Sequence, residues 1–164
     1  MWLPDRRAVL LGLLAVSGLA ACGLSPVYGP GGGGGKLFGK VRPRDPDTPL
    51  DFVFNRRLAE RLGPEDAAVY DLDYRISAGV VAQAITPDEV TTRYSLNGTA
   101  DFALTGPGGA VITQGRVSSF TSYSTTGTTI STLAAEGDAR ERLALMLADQ
   151  VVIRLLAAAS GLPD

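Results

Sequence analysis

Asp71-Leu72-Asp73-Tyr74-Arg75-Ile76-Ser77-Ala78-Gly79-Val80 alternates with a period of two, placing Leu72, Tyr74, Ile76, Ala78 and Val80 on one face and Asp71, Asp73, Arg75 and Ser77 on the other. That alternation is the pattern of a half-buried strand. Two further segments repeat it. Tyr94, Leu96, Ala100, Phe102 and Leu104 oppose Arg93, Ser95, Asn97, Thr99 and Asp101, and a third run extends from Val111 through Val117. Thr86-Pro87-Asp88-Glu89 and Gly106-Pro107-Gly108-Gly109 have turn composition, so the three runs read as an antiparallel meander. Apolar faces must match across a sheet, which fixes the register. Centring the first hairpin near residue 88 pairs Tyr74 with Phe102, Leu72 with Leu104 and Arg75 with Asp101; centring the second between 107 and 108 pairs Leu104 with Val111 and Thr99 with Arg116.

The flanks supply the second layer. Lys36 to Val41 suits a short strand, closed by the three prolines of the 42–49 stretch. A helix follows, capped by Asp51, with Phe52, Phe54, Leu58 and Leu62 as its apolar stripe and Gly63-Pro64 as its end. After Val117 the phase slips, because Phe120 and Tyr123 are spaced by three, which predicts a bulge or the end of regular pairing. Ser122 to Thr132 reads as a loop, and Leu133 to Ala159 as a helix capped by Ser131 or Thr132. On that helix Leu143, Leu147, Val151 and Leu155 fill one side while Leu145, Val152 and Leu156 sit nearly opposite, so its second side needs a cover, either the amino-terminal helix or a partner protein. The fold class is therefore α+β: a two-layer, mostly antiparallel sheet of about four strands packed by two helices, in the order β-α-β-β-β-α.

The amino terminus carries a different message. Arg6 and Arg7 precede the apolar stretch Ala8 to Ala21, which is shorter than the roughly 20 apolar residues needed to span a bilayer. It ends in Leu19-Ala20-Ala21-Cys22, and Cys22 is the only cysteine. The run resembles a bacterial lipoprotein signal, which implies cleavage of residues 1–21 and acylation of Cys22. With two or more acyl chains such an anchor is stable. Gly23, where the lipoprotein pattern uses Asp for inner-membrane retention, implies the outer membrane, and Arg6-Arg7 leaves both the general and the twin-arginine export routes open. Residues 22–35, with Pro26, Pro30 and glycines at 31 to 35, read as a flexible tether spanning roughly 20 Å. Residues 36–164 then form one domain.

Composition narrows the function. Removing Asp5, Arg6 and Arg7 with the leader leaves 13 basic and 16 acidic residues, a net charge of −3, which argues against nucleic acid as a partner. There is no histidine, and lipidation would consume the sole thiol, so His-based triads and the common zinc sets are excluded. Ser118, Ser119, Ser122 and Ser124 have no base to activate them, and Asp71, Asp73 and Asp101 are accounted for by alternation on a solvated strand face. No cofactor, metal or catalytic residue is expected.

The lipobox, the sequence Gly23-Leu24-Ser25-Pro26-Val27-Tyr28-Gly29-Pro30, the stretches Val90–Gly98 and Ser119–Glu136, and the continuation through Asp138–Leu143 to Ala148-Asp149-Gln150 together resemble the LptE family of lipopolysaccharide-assembly lipoproteins in its alphaproteobacterial form. The resemblance implies a non-enzymatic outer-membrane lipoprotein that sits within an LptD-type β-barrel, assists its assembly and binds lipopolysaccharide (LPS). Arg75, Arg93 and Arg116 on the polar sheet face are the candidate LPS ligands, since guanidinium forks suit lipid A phosphates; a cross-strand charge ladder with Asp101 accounts equally well for Arg75 and Arg116. Thr126, in the Ser/Thr-rich loop, and Val152, on the second side of the last helix, are the candidate partner contacts. An auxiliary lipoprotein of an ABC-type transporter is the alternative of the same size and class.

Overall fold

A computed structural model describes residues 32–85, 91–125 and 127–162. The elements run α1 (Gly33–Leu37), β1 (Val41–Pro43), α2 (Pro49–Leu62), β2 (Tyr70–Ile85), β3 (Thr91–Thr105), a 3-10 turn (Pro107–Gly109), β4 (Val111–Ser124) and α3 (Thr129–Ala159). The four strands form one sheet in the order β1-β2-β3-β4, with β1 parallel to β2 and the rest antiparallel. The α+β class and the order β-α-β-β-β-α hold, with α1 as an additional short helix.

The first hairpin has the predicted register: Tyr74 opposite Phe102, Leu72 opposite Leu104 and Arg75 opposite Asp101. In the second hairpin Leu104 faces Thr113 and Arg116 faces Asp101, two residues from the predicted pairing. The connection is wider than a two-residue turn because Pro107–Gly109 forms a 3-10 turn followed by Ala110. A shift of two preserves which side chains face the core, so the apolar face survives the error.

The phase slip after Val117 does not occur. β4 stays paired with β3 through Ser124, and the inward residue at this point is Thr121, only 8% exposed, rather than Phe120, which is 71% exposed on the opposite face. Thr121 tolerates burial because its hydroxyl donates to the Ala139 carbonyl of α3 at 3.1 Å. Tyr94 and Tyr123, directly opposite each other, stack at 5.5 Å between ring centres.

The helices differ from expectation at their starts. The N-cap of α2 is Thr48, whose hydroxyl accepts from the Asp51 amide while the Asp51 carboxylate accepts from the Thr48 amide, a reciprocal capping box. Asp51 is thus the third helical residue rather than the cap. Phe54, Leu58 and Leu62 are buried as expected, but Phe52 is exposed. α3 starts earlier than Leu133, with Thr128 as its cap accepting from the Ser131 amide at 3.2 Å.

The expected strand at 36–41 is shorter and later, Val41–Pro43, and the expected tether is structured at its end. Residues 33–35 belong to α1, with Gly33 and Gly34 buried. A β-carbon on Gly33 would lie 2.5 Å from the Leu156 carbonyl oxygen, so glycine here permits a close approach between α1 and α3. Lys36 Nζ donates to the Leu162 carbonyl at 2.5 Å, tying the same pair of segments.

α1 and α2 settle what covers the second side of α3. Val152 is 0% exposed and Leu156 7%, within one core that includes Leu37, Leu58, Leu62, Leu96, Leu104, Leu143 and Leu155. Each fully buried Leu contributes roughly 1.5–3 kcal/mol, so an all-round apolar helix is stable once it is covered from both sides. Ionic pairs fix the helices laterally: Arg57 donates to both carboxylate oxygens of Asp149 at 3.0 Å, Arg61 donates to the same carboxylate at 2.6 Å, and Arg56 to Glu141 at 2.6 Å. Among the described residues no helix is long and apolar enough to cross a membrane.

Candidate functional site

With α3 and α2 on one face of the sheet, the other face is the principal polar surface of the domain. Strand alternation builds it in rows: Arg75–Asp101–Arg116, then Ser77–Thr99–Ser118, Gly79–Asn97–Phe120, Val81–Ser95–Ser122, with Arg93 opposite Ser124 beyond them. The glycine and the short serines and threonines leave an open hollow lined by Gly79, Asn97, Thr99, Ser118 and Phe120. Phe120 stands at its margin as an exposed aromatic on an otherwise polar surface. Ser95 belongs to this face yet is only 7% exposed, its hydroxyl bonded to Asn97 Oδ1 at 3.2 Å.

The three arginines of this face fare differently. Arg116 makes a forked pair with Asp101, Nε to Oδ1 at 2.5 Å and Nη2 to Oδ2 at 3.0 Å. The hydrogen bonds from Arg116 hold the Asp101 carboxyl below the usual carboxylate range, and the Asp101 carboxylate raises the Arg116 guanidinium in turn. Arg75 faces Asp101 in the register, but both carboxylate oxygens are taken by Arg116, and Arg75 forms no ion pair among the described residues. The expected ladder is therefore reversed: Arg116 rather than Arg75 is neutralised by Asp101. Arg93 is exposed and likewise makes no ion pair among the described residues. At the lower corner Arg42 closes on Asp71 at 2.7 Å.

A second polar cluster lies at the start of α2, on the helix side of the sheet. Arg44 bonds Asp47 at 2.9 Å and the buried Asp51 at 3.1 Å, and its guanidinium lies 4.9 Å from the Tyr74 ring centre. Burial pushes the Tyr74 phenol up to about 12. This cluster is explained by structure, since it joins the capping box of α2 to the Phe54–Tyr74 contact at 4.5 Å.

The sequence-derived candidates are thus not a single constellation. Arg75, Arg93 and Arg116 share one face; Arg116 is forked to Asp101, while Arg75, whose charge also acts on Asp101, and Arg93 form no ion pair among the described residues. Val152 is buried inside the domain, so it cannot meet a partner while the domain is folded. Cys22, Thr126 and the 86–89 turn lie outside the described residues. Phe120 is the surface residue that sequence reading missed; continuing the period of two from Val117 to Ser124 would have placed it outward.

Residues 40–155 match the family described as LptE, lipopolysaccharide-assembly. The chain belongs to the LptE family. The match runs from the residue before β1 to the last turn of α3, taking in the whole sheet and both long helices. No curated protein sequence matches the chain. Among solved structures, the LptE-family fold seen here is similar to that of a candidate lipoprotein of Caulobacter crescentus, with a TM-score of 0.65 at 18% identity, covering 79% of this chain and 98% of that one. It is also similar to the rare lipoprotein B of Shewanella oneidensis, with a TM-score of 0.56 at 17% identity over 72% of this chain and 92% of that one. A lipoprotein B of Nitrosomonas europaea gives a TM-score of 0.59 at 10% identity over 76% and 86%. At these identities the likeness is one of fold. Family membership makes this LptE-type chain a lipopolysaccharide-assembly protein.

Proposed function

We propose that this LptE-family protein is anchored through lipid on Cys22, seats within the lumen of an LptD-type β-barrel in a one-to-one complex, supports the assembly of that barrel, and contacts LPS on its way to the outer leaflet. The observation that carries the reading is the family match across residues 40–155. The surface chemistry supports it: large outer-membrane barrels present a polar interior, and the helix-free face of this sheet is a broad polar surface of Ser, Thr, Asn and Arg. Its role is one of binding and scaffolding, without a chemical step.

For LPS we assign Arg93 as the headgroup contact. An exposed guanidinium that forms no ion pair among the described residues is available for a phosphate, whereas the Arg116 fork is already filled by Asp101. Tagged protein purified from outer membranes should bring down one large β-barrel chain at equal stoichiometry. Recovery of inner-membrane transporter subunits in its place would overturn the reading.

A further inference from the structure

β2 is much longer than its neighbour. β1 pairs only with Tyr70–Leu72, so the rest of β2 is an edge of the sheet. The Tyr70 amide donates to the Lys40 carbonyl at 3.0 Å, and the Leu72 carbonyl accepts from the Arg44 amide at 2.9 Å, both on the β1 side. In an antiparallel strand the amide and carbonyl of a residue point to the same side, and sides alternate along the strand. Ile76, Ala78 and Val80 therefore direct their amides and carbonyls outward along the open edge, and among the described residues no hydrogen bond engages them there.

The opposite edge of the sheet is blunted. On β4, Gln150 of α3 donates to the Ser118 carbonyl at 3.1 Å and Arg142 to the Ser122 carbonyl at 3.5 Å. Among the described residues the edge of β2 has no such protection, and the sequence from Ser77 to Ile85 contains no charged residue. From Ser77 to Ala82 its side chains are small or β-branched and exposed, with Val80 at 42% and Val81 at 48%. A long, uncharged open edge is a template for another strand.

We infer that the edge of β2 from Ile76 to Ala82 receives an extended segment of the barrel chain, uncharged along its centre and carrying a carboxylate that meets Arg75. This rests on the barrel partnership proposed above. Arg75 selects this occupant over a second copy of the chain. Two copies related by a twofold axis pair antiparallel, and registers that join the outward amides place Arg75 against Arg75, Ser77, Gly79, Val81, Gln83 or Ile85 of the second copy. None is acidic. A hetero-strand with a terminal Asp or Glu satisfies both the neutral edge and Arg75, which forms no ion pair among the described residues while Asp101 is held by Arg116.

The test uses full-length tagged protein in its own outer membrane, with the barrel chain as probe. Val80→Pro removes an amide that points to the open edge and places a ring in the path of an incoming strand, without taking a bond from the β2–β3 ladder. It should reduce barrel recovery about tenfold while leaving the melting temperature close to wild type. Val80→Ala, which keeps the amide, should retain the barrel, and Arg75→Glu should lose it. A photo-crosslinker at Val81 should map to an uncharged barrel segment adjoining Asp or Glu. Undiminished recovery with a folded Val80→Pro, or a Val81 adduct to a second copy, overturns the inference. Failure of the wild type to recover any barrel overturns the partnership itself, and the inference with it.

Discussion

The seat of α3 on the sheet is testable with two alanines one register row apart. Gly98 faces the core, and a β-carbon there would lie 2.7 Å from Leu143 Cδ2 and 3.1 Å from both Cδ1 and Cγ. Leu143 is 0% exposed, and three of its carbons crowd the same point, so turning one methyl aside does not clear the space. Overpacking of this kind costs about 1–3 kcal/mol. Gly79, which faces the outer surface and pairs with the neighbouring Asn97, has no atom within 4 Å of its would-be β-carbon. Replacing it removes the entropic disadvantage of glycine, which favours alanine by roughly 0.5–1 kcal/mol. The unfolded-state gain is common to both substitutions and cancels in their difference. Gly79→Ala should therefore stabilise, Gly98→Ala should destabilise, and the two should differ by about 1–3 kcal/mol, or about 4–12 °C in melting temperature for a domain of this size. Urea denaturation of the Cys22→Ser protein, followed by far-ultraviolet circular dichroism, measures both. If Gly98→Ala is as stable as Gly79→Ala, α3 does not rest on the sheet at Gly98.

Further outcomes follow from the same contacts. Gly33→Val should push α1 away from the Leu156 carbonyl, and amide exchange at Leu37 should accelerate while exchange in β3 stays slow; unchanged protection at Leu37 would restore residues 33–35 to the tether. Asp101 has a carboxyl held below its ordinary value of 3.8 by Arg116, so its contribution is present above that value and is lost as pH falls below it. Wild type should thus lose more stability than Asp101→Asn on acidification through this range, and parallel pH profiles would show that the pair contributes nothing. Arg93→Glu should weaken binding to LPS micelles more than Arg116→Glu or Arg75→Glu, and equal affinities would remove Arg93 from the headgroup site.

The parts of the fold legible in sequence are those governed by strand alternation. Leu72, Tyr74, Leu96, Ala100, Phe102 and Leu104 all face the core as predicted, and the first hairpin's register is correct. The second register missed by two because loop length, unlike face parity, leaves no periodic trace; the 3-10 turn at Pro107–Gly109 absorbed the difference. Thr121 misled the reading of β4, since a buried hydroxyl looks like a surface residue until its acceptor, the Ala139 carbonyl, is in place. Gly33 misled in the opposite sense: composition signals flexibility, while close packing against Leu156 and Ala159 requires the absence of a side chain. Of the candidate site, the shared face of Arg75, Arg93 and Arg116 was legible from parity. Which arginine Asp101 would neutralise was not, because that depended on the second hairpin's register.

In the proposed complex the polar, helix-free face of the sheet lies against the wall of an outer-membrane barrel. A photo-crosslinker replacing Phe120, the exposed aromatic on the edge strand β4 of that face, reads this contact in intact cells. The expected result is an adduct to a single large β-barrel protein, absent when the same crosslinker replaces the buried Val152. Adducts from position 120 only to inner-membrane or soluble periplasmic proteins, or none at all, would contradict it.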